Sequence, residues 1–152
     1  MKKLLILFIT LSLNIACSKD DNNSSNNPTT SNGLSVKING VLWEGSILGN
    51  MLDESSEQFV VNSLNQKSNE VFGFTMDYYD GPGAYPKAKD NLAFVSYARI
   101  DKNIFLNVSG TAFVVNVTNV ETVAGVKKVH GNFSGTLKSV AGEVLQFTEG
   151  KF

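Results

Sequence analysis

Few side chains here could do covalent or metal chemistry. Among 152 residues there is one cysteine, Cys17, and one histidine, His130. Zinc sites of the usual kind draw three or four ligands from His, Cys and carboxylates, so a lone imidazole makes a poor zinc centre. A Ser-His-acid triad needs a serine within reach of the imidazole. Ser134 shares a strand face with His130, but that arrangement is too common to signal a triad, and His130 reads as a solvated strand residue. No GxSxG, P-loop or Rossmann fingerprint is present. Asp77 with Asp80, or Asp53 with Glu54 and Glu57, have the groups for glycoside hydrolysis. All of them fall at expected loops or strand ends, where acids are ordinarily just solvated. The sequence therefore reads as that of a non-catalytic protein without a cofactor or metal.

The segment around Asp77 carries more information. Asp77-Tyr78-Tyr79-Asp80-Gly81 sets two carboxylates and a turn glycine close together. Hard oxygen ligands suit calcium, but the EF-hand spacing is missing, and a turn that ends a strand accounts for the same residues. Tyr78, Tyr79 and Tyr85 flank the turn Gly81-Pro82-Gly83. Aromatic rings on a constrained loop stack on sugar faces or anchor a partner. Tyr78, Tyr79, Tyr85, Asp77 and Asp80 are thus the candidate ligand-binding set. The competing reading is packing, above all for Tyr85, which precedes Pro86. Trp43 alternates with Val41 and reads as core.

Cys17 points to acylation. Lys2 and Lys3 precede the apolar run Leu4 to Leu13, which is followed by Asn14-Ile15-Ala16 and Cys17. A charged start, an apolar middle and a small residue before the cut describe a secretory signal, and a cysteine at the cut describes a bacterial lipoprotein. The run is about half the roughly 20 residues a spanning helix needs. A single cysteine forms no intramolecular disulfide, so lipidation explains both its presence and its solitude. Acyl chains contribute about 0.8 kcal/mol per buried CH₂ to membrane anchoring. Ser18-Lys19-Asp20-Asp21 resembles the short Lys/Asp-rich export signal of surface-exposed Bacteroidota lipoproteins, which implies an outer-membrane protein facing outward.

The expected organisation is a signal peptide over 1–16, a lipidated Cys17 and polar tether over 17–32, and one domain over 33–152. Residues 18–32 read SKDDNNSSNNPTTSN, without an aliphatic or aromatic side chain. Such a stretch buries too little surface to offset the entropy of ordering it. Fully extended it spans about 50 Å, and as coil roughly 20 Å. Cleavage before Cys17 leaves 11 basic against 14 acidic side chains, a balance that offers nucleic acid no electrostatic attraction.

The domain alternates at period two almost throughout. Leu34, Val36 and Ile38 share a face, and Asn39-Gly40 is a hairpin signal. Phe72, Phe74 and Met76 alternate with polar or small residues, as do Ala93, Val95 and Tyr97. Ile104, Leu106 and Val108 are expected to face the core, followed by Phe113, Val115 and Val117. Val129, Phe133 and Leu137 share a face with Gly131 and Gly135 between them, and Ala141-Gly142 turns the chain into Val144-Leu145-Gln146-Phe147. Nine or ten strands follow. Residues 51–58 have room for a helical turn, and 120–126 are ambiguous. Many short strands joined by tight turns indicate an all-β fold, a single antiparallel β-sandwich or open meander barrel. The alternative is a closed calycin-like barrel with Phe72, Phe74, Phe113 and Phe133 lining a pocket for a small apolar ligand.

Three motifs, in order and at matching spacing, carry a resemblance: Ile38-Asn39-Gly40 with Trp43; Gly81-Pro82-Gly83-Ala84-Tyr85-Pro86; and Gly131-Asn132-Phe133-Ser134-Gly135-Thr136-Leu137 with the closing Glu149-Gly150-Lys151-Phe152. Together they resemble a group of Bacteroidota outer-membrane lipoproteins of unknown function and similar length. The resemblance implies location and fold and brings no catalytic residues. The expected function is a lipid-anchored envelope protein that binds glycan, peptide or another envelope protein; the alternatives are the apolar-ligand carrier and a purely structural subunit.

Overall fold

The structure, a computed structural model, describes residues 33–87, 93–101, 103–108 and 111–152. The signal peptide, Cys17 and the tether lie outside the described residues. Ten strands account for most of the domain: β1 (Gly33–Ile38), β2 (Val41–Asp53), β3 (Gln58–Asn65), β4 (Glu70–Met76), β5 (Gly83–Tyr85), β6 (Ala93–Ala98), β7 (Ile104–Leu106), β8 (Phe113–Val123), β9 (Val126–Ser139) and β10 (Val144–Lys151). All pairings are antiparallel, in the order β10-β1-β2-β3-β4-β6-β7-β9-β8-β5, and β10 also pairs with β9. The pairings thus run round a ring of eight strands, with β8 and β5 branching from β9. The ring is thin at one seam, where β7 meets β9 only at Phe105↔Ser139 and Leu106↔Lys138. The all-β expectation holds: one antiparallel ten-stranded sheet curls into a partial ring with a narrow join, consistent with the expected sandwich or open barrel.

Turn chemistry sets the register. Asn39 (φ 49°) and Gly40 (φ 83°) both occupy the left-handed region, as a two-residue type I′ hairpin loop requires. Ala124 (φ 51°) and Gly125 (φ 81°) repeat that geometry between β8 and β9. Residues 120–126 are therefore a hairpin tip. The helical turn expected over 51–58 is absent: β2 runs to Asp53, four residues turn, and Asp53 pairs with Gln58. Only the strand period buries Leu52 and its cross-strand partner Phe59 together.

The face assigned to Ile104, Leu106 and Val108 is also corrected. Phe105 is the buried residue, and Ile104 and Val108 are exposed. A one-residue shift of phase exchanges every side chain between faces, and the larger ring takes the interior, 6.0 Å from Tyr97.

The core is aromatic. Phe72 stacks on Phe133 (5.0 Å) and Phe147 (5.5 Å) and meets Phe74 and Trp43 edge-on. Trp43 is buried, and its Nε1 donates to Glu70 Oε2 at 2.9 Å. Where ladders break, asparagine side chains complete them. Asn50 of β2 accepts from Val129 N (2.9 Å) and donates to Val129 O (2.6 Å). Asn107 likewise serves Val95 N and Ala93 O on β6. Buried backbone groups need such partners.

Candidate functional site

The loop from β4 to β5 leaves the barrel at Asp77 and returns at Gly83. Its foundation is Tyr85, wholly buried on β5, whose register partner is Val115 of β8. The Tyr85 ring meets Phe59 edge-on at 5.3 Å and stacks on Tyr79 at 5.6 Å. Its hydroxyl accepts from Asp80 N (3.2 Å) and lies within donating reach of Gly81 O and of Asp80 Oδ1 (3.1 Å). Burial holds the Tyr79 and Tyr85 phenols above their ordinary pKa. Tyr79 N donates to Glu57 O at 2.7 Å, which ties the loop to the β2–β3 turn.

Tyr85 is therefore removed from the ligand-facing set: its ring is a prop with no face left for a ligand. Tyr79 is half-buried between Phe59 and Tyr85. Asp77 accepts from Gln58 Nε2 at 2.6 Å. Asp80 pairs with Lys87. That lysine's hydrogen bond lowers the Asp80 carboxyl pKa, and Asp80 in turn raises that of Lys87. The Lys87 ammonium also lies 5.3 Å from the Tyr85 ring centroid, within cation–π range.

Tyr78 faces solvent, 54% exposed, with φ at 60°. Left-handed backbone is an outlier for a bulky residue. Here it follows from anchoring both neighbours, Asp77 through Gln58 and Tyr79 through Glu57. Of the five expected residues, the structure thus presents one ring outward and uses the other four to hold it.

Four of the five carboxylates considered for hydrolysis, Asp53, Glu54, Asp77 and Asp80, have protein partners. Asp53 Oδ1 accepts from Ser55 N (2.9 Å) and Ser55 Oγ (2.7 Å), which lowers its pKa, and Glu54 pairs with Lys127 at 2.5 Å. His130 Nε2 lies 2.9 Å from Glu121 Oε1. Ser134 pairs with Val114 and His130 with Asn119, so the two are four residues apart along β9, about 13 Å. Among the described residues no group of three His, Cys, Asp or Glu is placed to hold a metal.

A second polar cluster closes the end of the barrel bearing the β6–β7 and β9–β10 turns. Arg99 pairs with Asp101 (2.7 Å) and Glu143 (3.2 Å), and its guanidinium leads the groups that hold the Asp101 carboxyl down at about 2. Arg99 and Asp101 are two residues apart, but Glu143 joins them from 44 residues beyond Arg99, and only the folded chain brings the three together. Open grooves also mark the surface, one of about 610 Å³ beside Gly33, Leu42, Glu44, Leu64 and Lys67.

Fold and loop together define an all-β domain that presents one exposed tyrosine on a buttressed loop. Comparison with known protein families, curated proteins and solved structures finds no match to this chain.

Proposed function

We propose that the protein is a lipid-anchored outer-membrane protein, facing outward, whose domain is a non-catalytic binding module for glycan, peptide or another envelope protein. The anchor reading rests on the signal that ends at Cys17. The observation that supports binding is the Tyr78 loop. A strained, solvent-facing aromatic held by Tyr79, Tyr85 and Gln58 is already ordered for contact, and backbone strain gathers at functional loops. The carrier alternative has less support, because the four phenylalanines offered as its pocket lining pack on one another (Phe72–Phe133 5.0 Å, Phe74–Phe133 5.7 Å, Phe113–Phe133 5.8 Å).

Labelled palmitate fed to the producing bacterium is expected to enter the protein, and Cys17→Ala is expected to abolish incorporation. Incorporation that survives the substitution removes the anchor.

Binding is tested by thermal shift of the protein against glycans, peptidoglycan fragments, calcium and fatty acids. A ligand at 100 times its Kd adds about 2.7 kcal/mol, or roughly 8–16 °C for a domain this size. Tyr78→Ala is expected to leave the free protein's Tm unchanged and to erase the ligand shift. A shift that persists moves the site elsewhere. Silence across the panel favours a structural role or a protein partner.

A further inference from the structure

One side of the barrel differs in charge from the rest. Strands β3, β4, β6 and β7 contain a single charged residue, Glu70. Its carboxylate accepts from Trp43 Nε1 and from Ser68 Oγ at 2.7 Å. Each of β1, β2, β8, β9 and β10, by contrast, carries at least one Lys, Asp or Glu. The alternation that sends Phe72, Phe74, Val95, Tyr97 and Phe105 inward turns their neighbours out. The ladder aligns those neighbours in rows: Leu64–Val71–Ala98–Ile104, then Asn62–Gly73–Ser96–Leu106, then Val60–Thr75–Phe94. Val71 is 41%, Ile104 51% and Phe94 56% exposed. Met51, opposite Val60 on β2, extends the face. The result is a contiguous outer wall with apolar side chains, three small polar ones and no exposed charge on its four strands, the kind of patch that marks an interaction surface.

The chain's own connectivity indicates what covers it. Leu64 pairs with Ser46, and Ser46 with Gly33. Gly33, through which residues 1–32 join the domain, therefore ends the same row as Val71 and Ile104, three ladder steps or about 14 Å from Val71. The wall is about 20 by 20 Å, near 400 Å², whereas a standard protein interface takes about 800 Å² from each partner. That is too little for a stable dimer through this face alone. A bilayer sets no such threshold for a domain already tethered to it, because the anchor supplies the effective concentration.

We propose that this wall is a membrane-docking face, and that the barrel lies with its β3–β4–β6–β7 side against the leaflet holding the lipid on Cys17. The inference rests on the lipid-anchor reading above. Phe94 and Ile104 enter the boundary between headgroups and acyl chains, while Asn62, Thr75 and Ser96 remain among the headgroups. The polar wall of β9 and β10 and the Asp101–Arg99–Glu143 knot stay in water.

The test uses the purified lipidated protein in phosphatidylethanolamine–phosphatidylglycerol vesicles with brominated acyl chains. Two variants place an indole on opposite walls: Phe94→Trp, and Asn132→Trp on exposed β9. The one native tryptophan is buried and gives a constant background. Emission added by Phe94→Trp is expected to fall about twofold on bromination, as a group about 5–10 Å inside the interface should, while that of Asn132→Trp is unchanged. Equal emission from both variants in protein that floats with the vesicles overturns the docking face and leaves the anchor standing. Blue-shifted emission from Phe94→Trp without bromine quenching assigns the wall to a protein partner or second copy, and also overturns it. Protein that does not float removes the anchor, and the docking face falls with it.

Discussion

Phe72→Ala is expected to destabilise the domain by about 3–5 kcal/mol. The ring has no solvent exposure. It is the hub of the interior, in contact with Trp43 of β2, Phe74 of its own strand, Phe113 of β8, Phe133 of β9 and Phe147 of β10. Removing it forfeits the transfer energy of a benzyl group and leaves a void that these neighbours fill poorly, since each is fixed by others. The loss is a large part of the roughly 5–15 kcal/mol that holds a domain folded. Urea unfolding followed by far-UV circular dichroism measures it as a lower midpoint at unchanged slope. The same measurement separates the filled core from the carrier. A ring that merely lined an existing cavity would have fewer contacts to lose, and a cost below about 1 kcal/mol would be its signature. In the filled core the substitution itself creates the cavity. An apolar void of that kind stays dry and takes up small aromatic molecules, so benzene should stabilise Phe72→Ala and leave the parent protein unaffected.

The strand pattern was largely legible because it depends on neighbours in the chain. Asn39-Gly40 announces its own turn, and the alternation in Phe72-Gly73-Phe74-Thr75-Met76 suits only a strand with one buried face. The errors came where competing local patterns were of similar strength. Ile104, Leu106 and Val108 make as good a stripe as Phe105 alone, and only the space between Tyr97 and the seam at Ser139 decides which points inward. The candidate loop was legible as a location but not in its division of labour. Tyr78, Tyr79 and Tyr85 are chemically alike, and what turns one outward and buries another is Phe59 and Glu57, both more than 18 residues away in the chain. The uncharged wall could have been seen in the sequence as the scarcity of charge within the strands between Gln58 and Leu106. Its continuity could not, because the register that lines up Leu64, Val71, Ala98 and Ile104 emerges only once four strands have paired.

Gly131→Ala is expected to cost about 3 kcal/mol, at the upper end for overpacking, whereas Ser134→Ala three residues on is expected to stay within about 0.5 kcal/mol. Gly131 belongs to the inward face of β9 with Val129 and Phe133, yet a Cβ there would lie 2.0 Å from Asn116 O and 3.0 Å from Phe152 Cζ. The first of these is backbone, and neither side can give way freely. Gly131 pairs with Val117 of β8 just before the ladder shifts. On its other edge it exchanges two hydrogen bonds of 3.1 Å with Phe152. Pushing β8 away opens the ladder, and pushing Phe152 away uncovers Phe74, its edge-on partner at 5.1 Å. Gly150 obeys the same constraint from the opposite strand, since its Cβ would lie 2.5 Å from the Phe133 ring. Gly131 and Gly150 are thus the missing side chains that seat Phe152 and Phe133, which is why the two closing motifs of the chain belong together. Differential scanning calorimetry of the two variants checks this: a neutral Gly131→Ala would mean that β8 and β9 do not approach so closely, and the filled end of the barrel would open to a ligand. A heavy cost would show that β8, β9 and Phe152 close on one another at Gly131 with no room for even a methyl group.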